Sequence, residues 1–141
     1  MFVRELMTQH AATVGADETL ESAARKMKEL GVGALPVLDR GQLTGILTDR
    51  DLAVRAVASG ADPRRMHVRE AMTAQVVACR EDDEVEEAAR KMEQGAVRRI
   101  MVLDREGDLS GMLSVDDLVG ASVALAADVL RHARDPELPL V

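Results

Sequence analysis

Val3-Arg4-Glu5-Leu6-Met7-Thr8 returns in the same chain as Val68-Arg69-Glu70-Ala71-Met72-Thr73. The offset, 65 residues from Val3 to Val68, holds for further stretches. Ala23-Ala24-Arg25-Lys26-Met27 matches Ala88-Ala89-Arg90-Lys91-Met92, and Val37-Leu38-Asp39 matches Val102-Leu103-Asp104. One residue, Glu106, is then inserted, and Leu43-Thr44-Gly45-Ile46-Leu47-Thr48 matches Leu109-Ser110-Gly111-Met112-Leu113-Ser114. A repeat of this length sets the architecture before any local feature does. Two copies of one unit, packed with pseudo-two-fold symmetry, are expected, and each copy should carry the same chemistry or its remnant.

Each copy reads as β-α-β-β-α, an α+β unit. After the Met-Thr segment comes a short apolar strand, Ala12 to Val14 or Val76 to Cys79. In the first copy Leu20, Ala23, Ala24, Met27 and Leu30 then line one face of a 3.6-residue period. Asp17 and Glu18 lie at the start of that helix, Lys26 and Lys28 near its end, and Gly31 suits the C′ position. The second copy shows the same face in Val85, Ala88, Ala89 and Met92, with Gly95 near the end. A hairpin follows, Ala34 to Leu38 and Leu43 to Leu47 about Asp39-Arg40-Gly41. Its counterpart is Ile100 to Leu103 and Leu109 to Leu113 about Asp104-Arg105-Glu106-Gly107. The second helices are expected from Asp49 to Ser59 and from Val115 to Arg134. The chain therefore divides into repeat 1 (1–60), a linker (61–67), repeat 2 (68–134) and a flexible tail (135–141).

The chain has 141 residues, 47% of them apolar, which predicts a globular fold. Repeats of this size are small for independent cores, so the two copies are expected to share one. Eight methionines against a single phenylalanine, with no Tyr or Trp, call for an aliphatic and thioether core. A net charge of −7 argues against nucleic acid as a partner. No apolar run approaches membrane-spanning length, and no signal peptide is evident. The single cysteine, Cys79, allows no internal disulfide and suits a reducing cytoplasm.

The sharpest local feature is Gly45-Ile46-Leu47-Thr48-Asp49-Arg50-Asp51, echoed by Gly111-Met112-Leu113-Ser114-Val115-Asp116-Asp117. A strand ends at a hydroxyl residue, and an aspartate follows three positions later. Thr48 with Asp51, and Ser114 with Asp117, form a loose capping box. The same geometry suits a ligand. Free N–H groups attract a phosphate, the hydroxyl can donate to it, and a carboxylate can accept from a ribose diol.

The ordered set of these motifs, present twice at one spacing, resembles a tandem pair of CBS domains in the stand-alone bacterial form. The residues carrying the resemblance are the Met-Thr segments, Gly33-Ala34-Leu35-Pro36-Val37, Gly45 to Leu52, Val97 to Val102 and Gly111 to Leu118, over residues 1 to about 125. The resemblance implies a regulatory module that binds adenine nucleotides (AMP, ADP or ATP) in clefts between the repeats and requires no cofactor. Asp51 and Asp117 would then hold ribose hydroxyls, and Thr48 and Ser114 would meet phosphate. Main-chain groups near Thr13-Val14 and Val77-Ala78 would read adenine. Leu35, Pro36 and Ile46, with Ile100, Met101 and Met112, would form apolar walls. Arg50, Arg98 and Arg99 are the candidates to neutralise phosphate. The pattern departs from itself at Pro36 against Met101 and at Arg50 against Asp116, so the Thr48/Asp51 site is expected to bind better. The net charge favours AMP or ADP over ATP.

Other chemistry finds little support. Gly31-Val32-Gly33 is followed by Pro36 and is no dinucleotide fingerprint, and no P-loop is present. His10, His67 and His132 lie far apart in sequence, so no metal site is expected. The Asp49/Asp51 and Asp116/Asp117 pairs lack a nucleophile or oxyanion arrangement, so no enzyme is expected. Such a module would signal to an unknown protein target in trans or through its own homodimer. The alternative is an interaction or scaffold dimer that has lost its ligand.

Overall fold

The computed structural model describes residues 1–133. A 3₁₀ turn at Val3–Glu5 precedes β1 (Thr8–Gln9), β2 (Val14–Gly15), α1 (Leu20–Leu30), β3 (Ala34–Asp39) and β4 (Gln42–Thr48). Next come α2 (Asp49–Asp51), which runs on as a π-helical stretch over Leu52–Val57, and α3 (Val68–Ala71). The second half adds β5 (Ala78–Arg80), α4 (Val85–Gly95), β6 (Arg99–Leu103), β7 (Leu109–Ser114), α5 (Val115–Ala121) and α6 (Val123–His132). The fold is mixed α+β. The tail at 135–141 and Arg134 lie outside the described residues.

The chain divides into two compact units that do not coincide with the sequence repeats. One unit is Ala11–Val76; the other joins Met1–His10 to the described residues from Val77 onward. Each Met-Thr segment thus packs with the hairpin of the other repeat. In the Ala11–Val76 unit the Val68 N–H donates to the Glu18 carbonyl, and Thr73 and Ile46 exchange both backbone hydrogen bonds (2.9 and 3.0 Å). In the other unit Val3 donates to Asp83, and β1 pairs antiparallel with β7, Thr8 opposite Met112. Glycine makes the approach possible. A Cβ on Gly45 would lie 2.7 Å from the Thr73 carbonyl oxygen, and one on Gly111 would lie 2.5 Å from that of Thr8.

The Ala11–Val76 unit holds a sheet in the order β2-β3-β4, with β2 parallel to β3 and β3 antiparallel to β4. Thr19 caps α1 by accepting the Ser22 N–H, and Gly31 ends it in the left-handed region at φ 66°. The helix buries Leu20, Ala23 and Met27 against Leu35, Val37 and Leu47. The hairpin turns at Arg40-Gly41, both at positive φ, as a two-residue primed turn requires. Glu18 ties the strand exit to α1. Its carboxylate accepts the Gly15 N–H at 2.6 Å and the Ser22 hydroxyl at 2.9 Å. The Gly15 bond is the main reason its pKa lies below the ordinary glutamate value.

The other unit orders its strands β1-β7-β6-β5 and gathers Val3, Cys79, Val85, Ala88, Ala89, Met92, Ile100, Val102 and Leu113 in its core. The inserted Glu106 sits in the hairpin turn, where its N–H and that of Asp108 both donate to the Asp104 side chain.

Several sequence expectations shift. The first strands are Val14–Gly15 and Ala78–Arg80, not Ala12 to Val14 and Val76 to Cys79. The long helix from Val115 breaks at Ser122, whose extended backbone (φ −159°) and hydroxyl cap a new helix by accepting the Leu125 N–H. The helix from Asp49 is α-helical only to Asp51 before its π-helical stretch. Gly95 is helical, and Ala96 takes the left-handed position at φ 53°. The glycine at 95 answers a packing need, since a Cβ there would lie 2.7 Å from a Val77 methyl.

Candidate functional site

The Thr48 hydroxyl accepts the Asp51 N–H at 3.1 Å, and the Thr48 N–H donates to Asp51 Oδ2 at 2.9 Å. The capping box is therefore formed. The second copy repeats it. The Ser114 N–H and hydroxyl donate to Asp117 Oδ2 at 2.9 and 3.1 Å, and Asp117 N–H donates to Ser114 Oγ at 3.3 Å. Both boxes form at a strand-to-helix junction, where β4 and β7 end at the residue that caps the next helix.

The two aspartates differ beyond the cap. Asp51 is buried, at 8% exposure, and its Oδ1 accepts the Thr73 hydroxyl at 3.4 Å. The Arg55 Nε lies 3.8 Å from the same oxygen. Among the described residues, the hydrogen bonds of Asp117 come from Ser114 alone. Arg55, Thr73 and Ala12 are not among the site residues expected from the sequence. The Asp51-to-Arg55 spacing of i,i+4 was a legible signal; the reach of Thr73 to Asp51 was not, because it depends on segment exchange.

Strand register separates the expected apolar walls. Residues opposite one another in an antiparallel pair share a face. Ala34 faces Thr48 and Pro36 faces Ile46, whereas Leu35 faces Leu47. Leu35 therefore lies on the helix-side face of the sheet, fully buried in the core, and not with Pro36 and Ile46. In the same way Ile100 pairs with Leu113 in the core, while Met101 and Met112 share the opposite face with Arg99 and Ser114. Arg99 is directly opposite Ser114, so a cation flanks the second hydroxyl despite Asp116. Arg50 is exposed beside Thr48, and Arg98 is exposed with its carbonyl accepting the Val115 N–H.

Pro36 against Met101 has a backbone consequence. The Met101 N–H donates to the Val77 carbonyl at 3.0 Å. Proline has no N–H to donate. The registers Val14 to Val37 and Cys79 to Val102 place Ala12 where Val77 stands. The Ala12 carbonyl thus lacks that rung, which also explains the later start of β2. Val14 is buried in the core, and the Thr13 carbonyl accepts from the Lys26 ammonium at 2.8 Å. Ala78 begins β5 beside Met101.

An open pocket of about 510 Å³ lies elsewhere in the Ala11–Val76 unit, lined by Gly15, Asp17, Glu18, Asp39, Arg40 and Arg69 among others. Its Arg69 pairs with Asp17 and Asp39, so its charge is already matched. Cys79 is buried, and burial, with the Asp83 charge, pushes its thiol up to about 11. Among the described residues no group of three or more His, Cys, Asp and Glu gathers as a metal site. No described helix is long and apolar enough to cross a membrane.

The CBS domain profile matches residues 3–57 and 68–124. The chain belongs to the CBS domain family. Each hydroxyl-x-x-Asp motif lies inside one of the matched CBS domains. The CBS domain-containing protein YhcV of Bacillus subtilis is 38% identical over 116 residues, covering 82% of this chain and 81% of that protein. Hypoxic response protein 1 of Mycobacterium tuberculosis is 33% identical over 130 residues, covering 92% and 82%. A solved structure of a conserved CBS domain protein from Thermoplasma acidophilum superposes with a TM-score of 0.83 at 25% identity, covering 94% of this chain and 75% of that one.

Proposed function

We propose that this CBS pair is a non-catalytic regulatory module that binds an adenine nucleotide, with AMP or ADP favoured over ATP by the chain's net charge of −7. The single observation that carries the reading is the state of Asp51. It is a buried carboxylate at a strand-to-helix junction, and one of its oxygens already accepts from a hydroxyl, that of Thr73. A ribose hydroxyl is the same kind of donor. Thr48 and the exposed Arg50 stand where a phosphate would meet a helix start, and the Ala12 carbonyl, without its rung, is an acceptor for an adenine amino group. Ser114, Asp117, Arg98 and Arg99 form the corresponding set in the second copy, with Met101 and Met112 as its wall. The Met101-to-Val77 bond closes the adenine edge there, so the Thr48/Asp51 set is the tighter site.

The module acts in the cytoplasm on a protein target in trans and pairs with a second copy of itself. Exposed Val54 and Val57 in one unit, and Val119, Val123 and Leu130 in the other, support apolar self-association. Val57→Asp and Val123→Asp should shift the protein toward monomer in sedimentation experiments. If neither changes its mass, those residues do not form the dimer contact.

The competing reading, a ligand-free scaffold dimer, draws on the capping bonds, which already employ both aspartates. Thermal melts with AMP, ADP and ATP decide between them. A ligand at 100 times its Kd should stabilise the protein by about 2.7 kcal/mol. Asp51→Ala should remove most of the shift and Asp117→Ala less of it, after subtraction of the ligand-free melting point. No shift with any nucleotide at millimolar concentration would leave the scaffold reading standing.

A further inference from the structure

Arg55 and its surroundings point to a role outside the expected ligand set. Arg55 lies in the π-helical stretch that follows Asp51. Residues i and i+4 lie on one face of a helix about one turn apart, whether it is closed by i→i+4 or, as here, by i→i+5 bonds. Bonds of this type run from the Ala58 N–H to Ala53 and from the Ala61 N–H to Ala56. Arg55 consequently stands over Asp51, with Nε 3.8 Å from Oδ1. Its Nη1 donates to the carbonyls of Met72 at 2.8 Å and Ala71 at 3.4 Å. These carbonyls immediately precede Thr73, whose hydroxyl donates to the same Oδ1.

The guanidinium therefore joins the segment carrying Thr73 to the aspartate that Thr73 touches. With Oδ2 held by the Thr48 N–H, both carboxylate oxygens have a set direction. Among the described residues the second copy has no such device. Ala121 stands four residues after Asp117, where Arg55 stands after Asp51. The helix there is α-helical from Val115 to Ala121 and then breaks.

We propose that Arg55 is a positioning residue for Asp51: it holds the carboxylate in the orientation that accepts the ribose 2′-hydroxyl, and so sets discrimination between ribose and deoxyribose. The proposal rests on the ribose-binding reading of Asp51. A charge beside the accepting oxygen and a tether to Thr73 both act through Asp51, so Arg55 need not touch the ligand. Replacing Arg55 should change which sugar is preferred more than it changes whether the protein folds, because the side chain is half exposed.

The test is calorimetric titration of AMP and 2′-deoxyAMP into the 141-residue protein, in an Asp117→Ala background so that one site reports. The Arg55-intact protein should bind AMP about tenfold more tightly than 2′-deoxyAMP, as expected for one hydrogen bond to a charged acceptor. Arg55→Gln keeps a donor for the Met72 carbonyl and loses the charge; its preference should fall to about threefold or less. Arg55→Lys keeps the charge and should stay near the parent ratio. Asp51→Ala should bind the two nucleotides alike. If Arg55→Gln retains the tenfold ratio while Asp51→Ala loses it, Arg55 is only a tether for the Met72 segment and the ribose reading survives. If the parent protein does not prefer AMP over 2′-deoxyAMP, the ribose reading fails and the role of Arg55 falls with it.

Discussion

Asp51 and Asp117 show how one residue type at one motif position acquires different properties. Both complete a capping box, so both stabilise the start of a helix. Among the described residues, only Asp51 gains a hydroxyl from the exchanged segment and a cation one turn along. Cys79 is the other residue whose surroundings set its chemistry. Its thiol lies near 11 instead of the ordinary 9.0, with burial as the largest cause. The unfolded chain releases this proton first as pH rises. The contribution of Cys79 to stability is therefore complete below pH 9.0 and is lost as pH climbs through about 11. At pH 8 native Cys79 should react with a thiol reagent no faster than the protein opens, and denaturant should release the normal rate. Rapid labelling without denaturant would contradict this burial.

The helix ends of α1 and α4 separate two uses of glycine. Gly31 occupies a left-handed position that a side chain resists. Its sequence counterpart, Ala96, takes the same conformation with a methyl group. Ala96→Gly should therefore stabilise the protein by about 1 kcal/mol in urea melts. Gly95→Ala should do the opposite. Helix propensity alone would favour that change by about 1 kcal/mol. The new methyl, however, would lie 2.7 Å from the Cγ2 of Val77, a branched side chain with little freedom to move. Overpacking of this kind costs about 1–3 kcal/mol, so the net effect is destabilising. A more stable Gly95→Ala protein would show that Val77 gives way.

At the scale of the molecule, the compact units and the sequence repeats are different sets of residues. The Ala11–Val76 unit draws Val68 and Ala71 into its core, and both lie in the second repeat of the sequence. The other unit draws in Val3. A fragment spanning 11–76 should therefore keep more helix by circular dichroism, and melt more cooperatively, than one spanning 1–60. The repeat fragment lacks Val68, Ala71 and the Thr73 strand bonds, and it carries Val3 away from its core. Equal behaviour of the two fragments would show that the exchanged segments contribute little.

The sequence alone determined what depends on local pattern. Periodicity placed α1 and α4, turn residues placed the hairpins and the inserted Glu106, and the hydroxyl-x-x-Asp spacing placed both capping boxes. These features arise among residues close along the chain, so local hydrogen bonds and side-chain direction are enough to specify them. Tertiary structure alone decided which hairpin each Met-Thr segment joins, because nearly identical segments suit either partner until the glycine contacts and strand edges are in place. It also decided that Leu35 and Ile100 belong to the cores, since strand pairing sorts alternate residues onto opposite faces. The gathering of Arg55 and Thr73 about Asp51 is of the same kind: residues apart in sequence meet on one carboxylate oxygen only once the chain has folded.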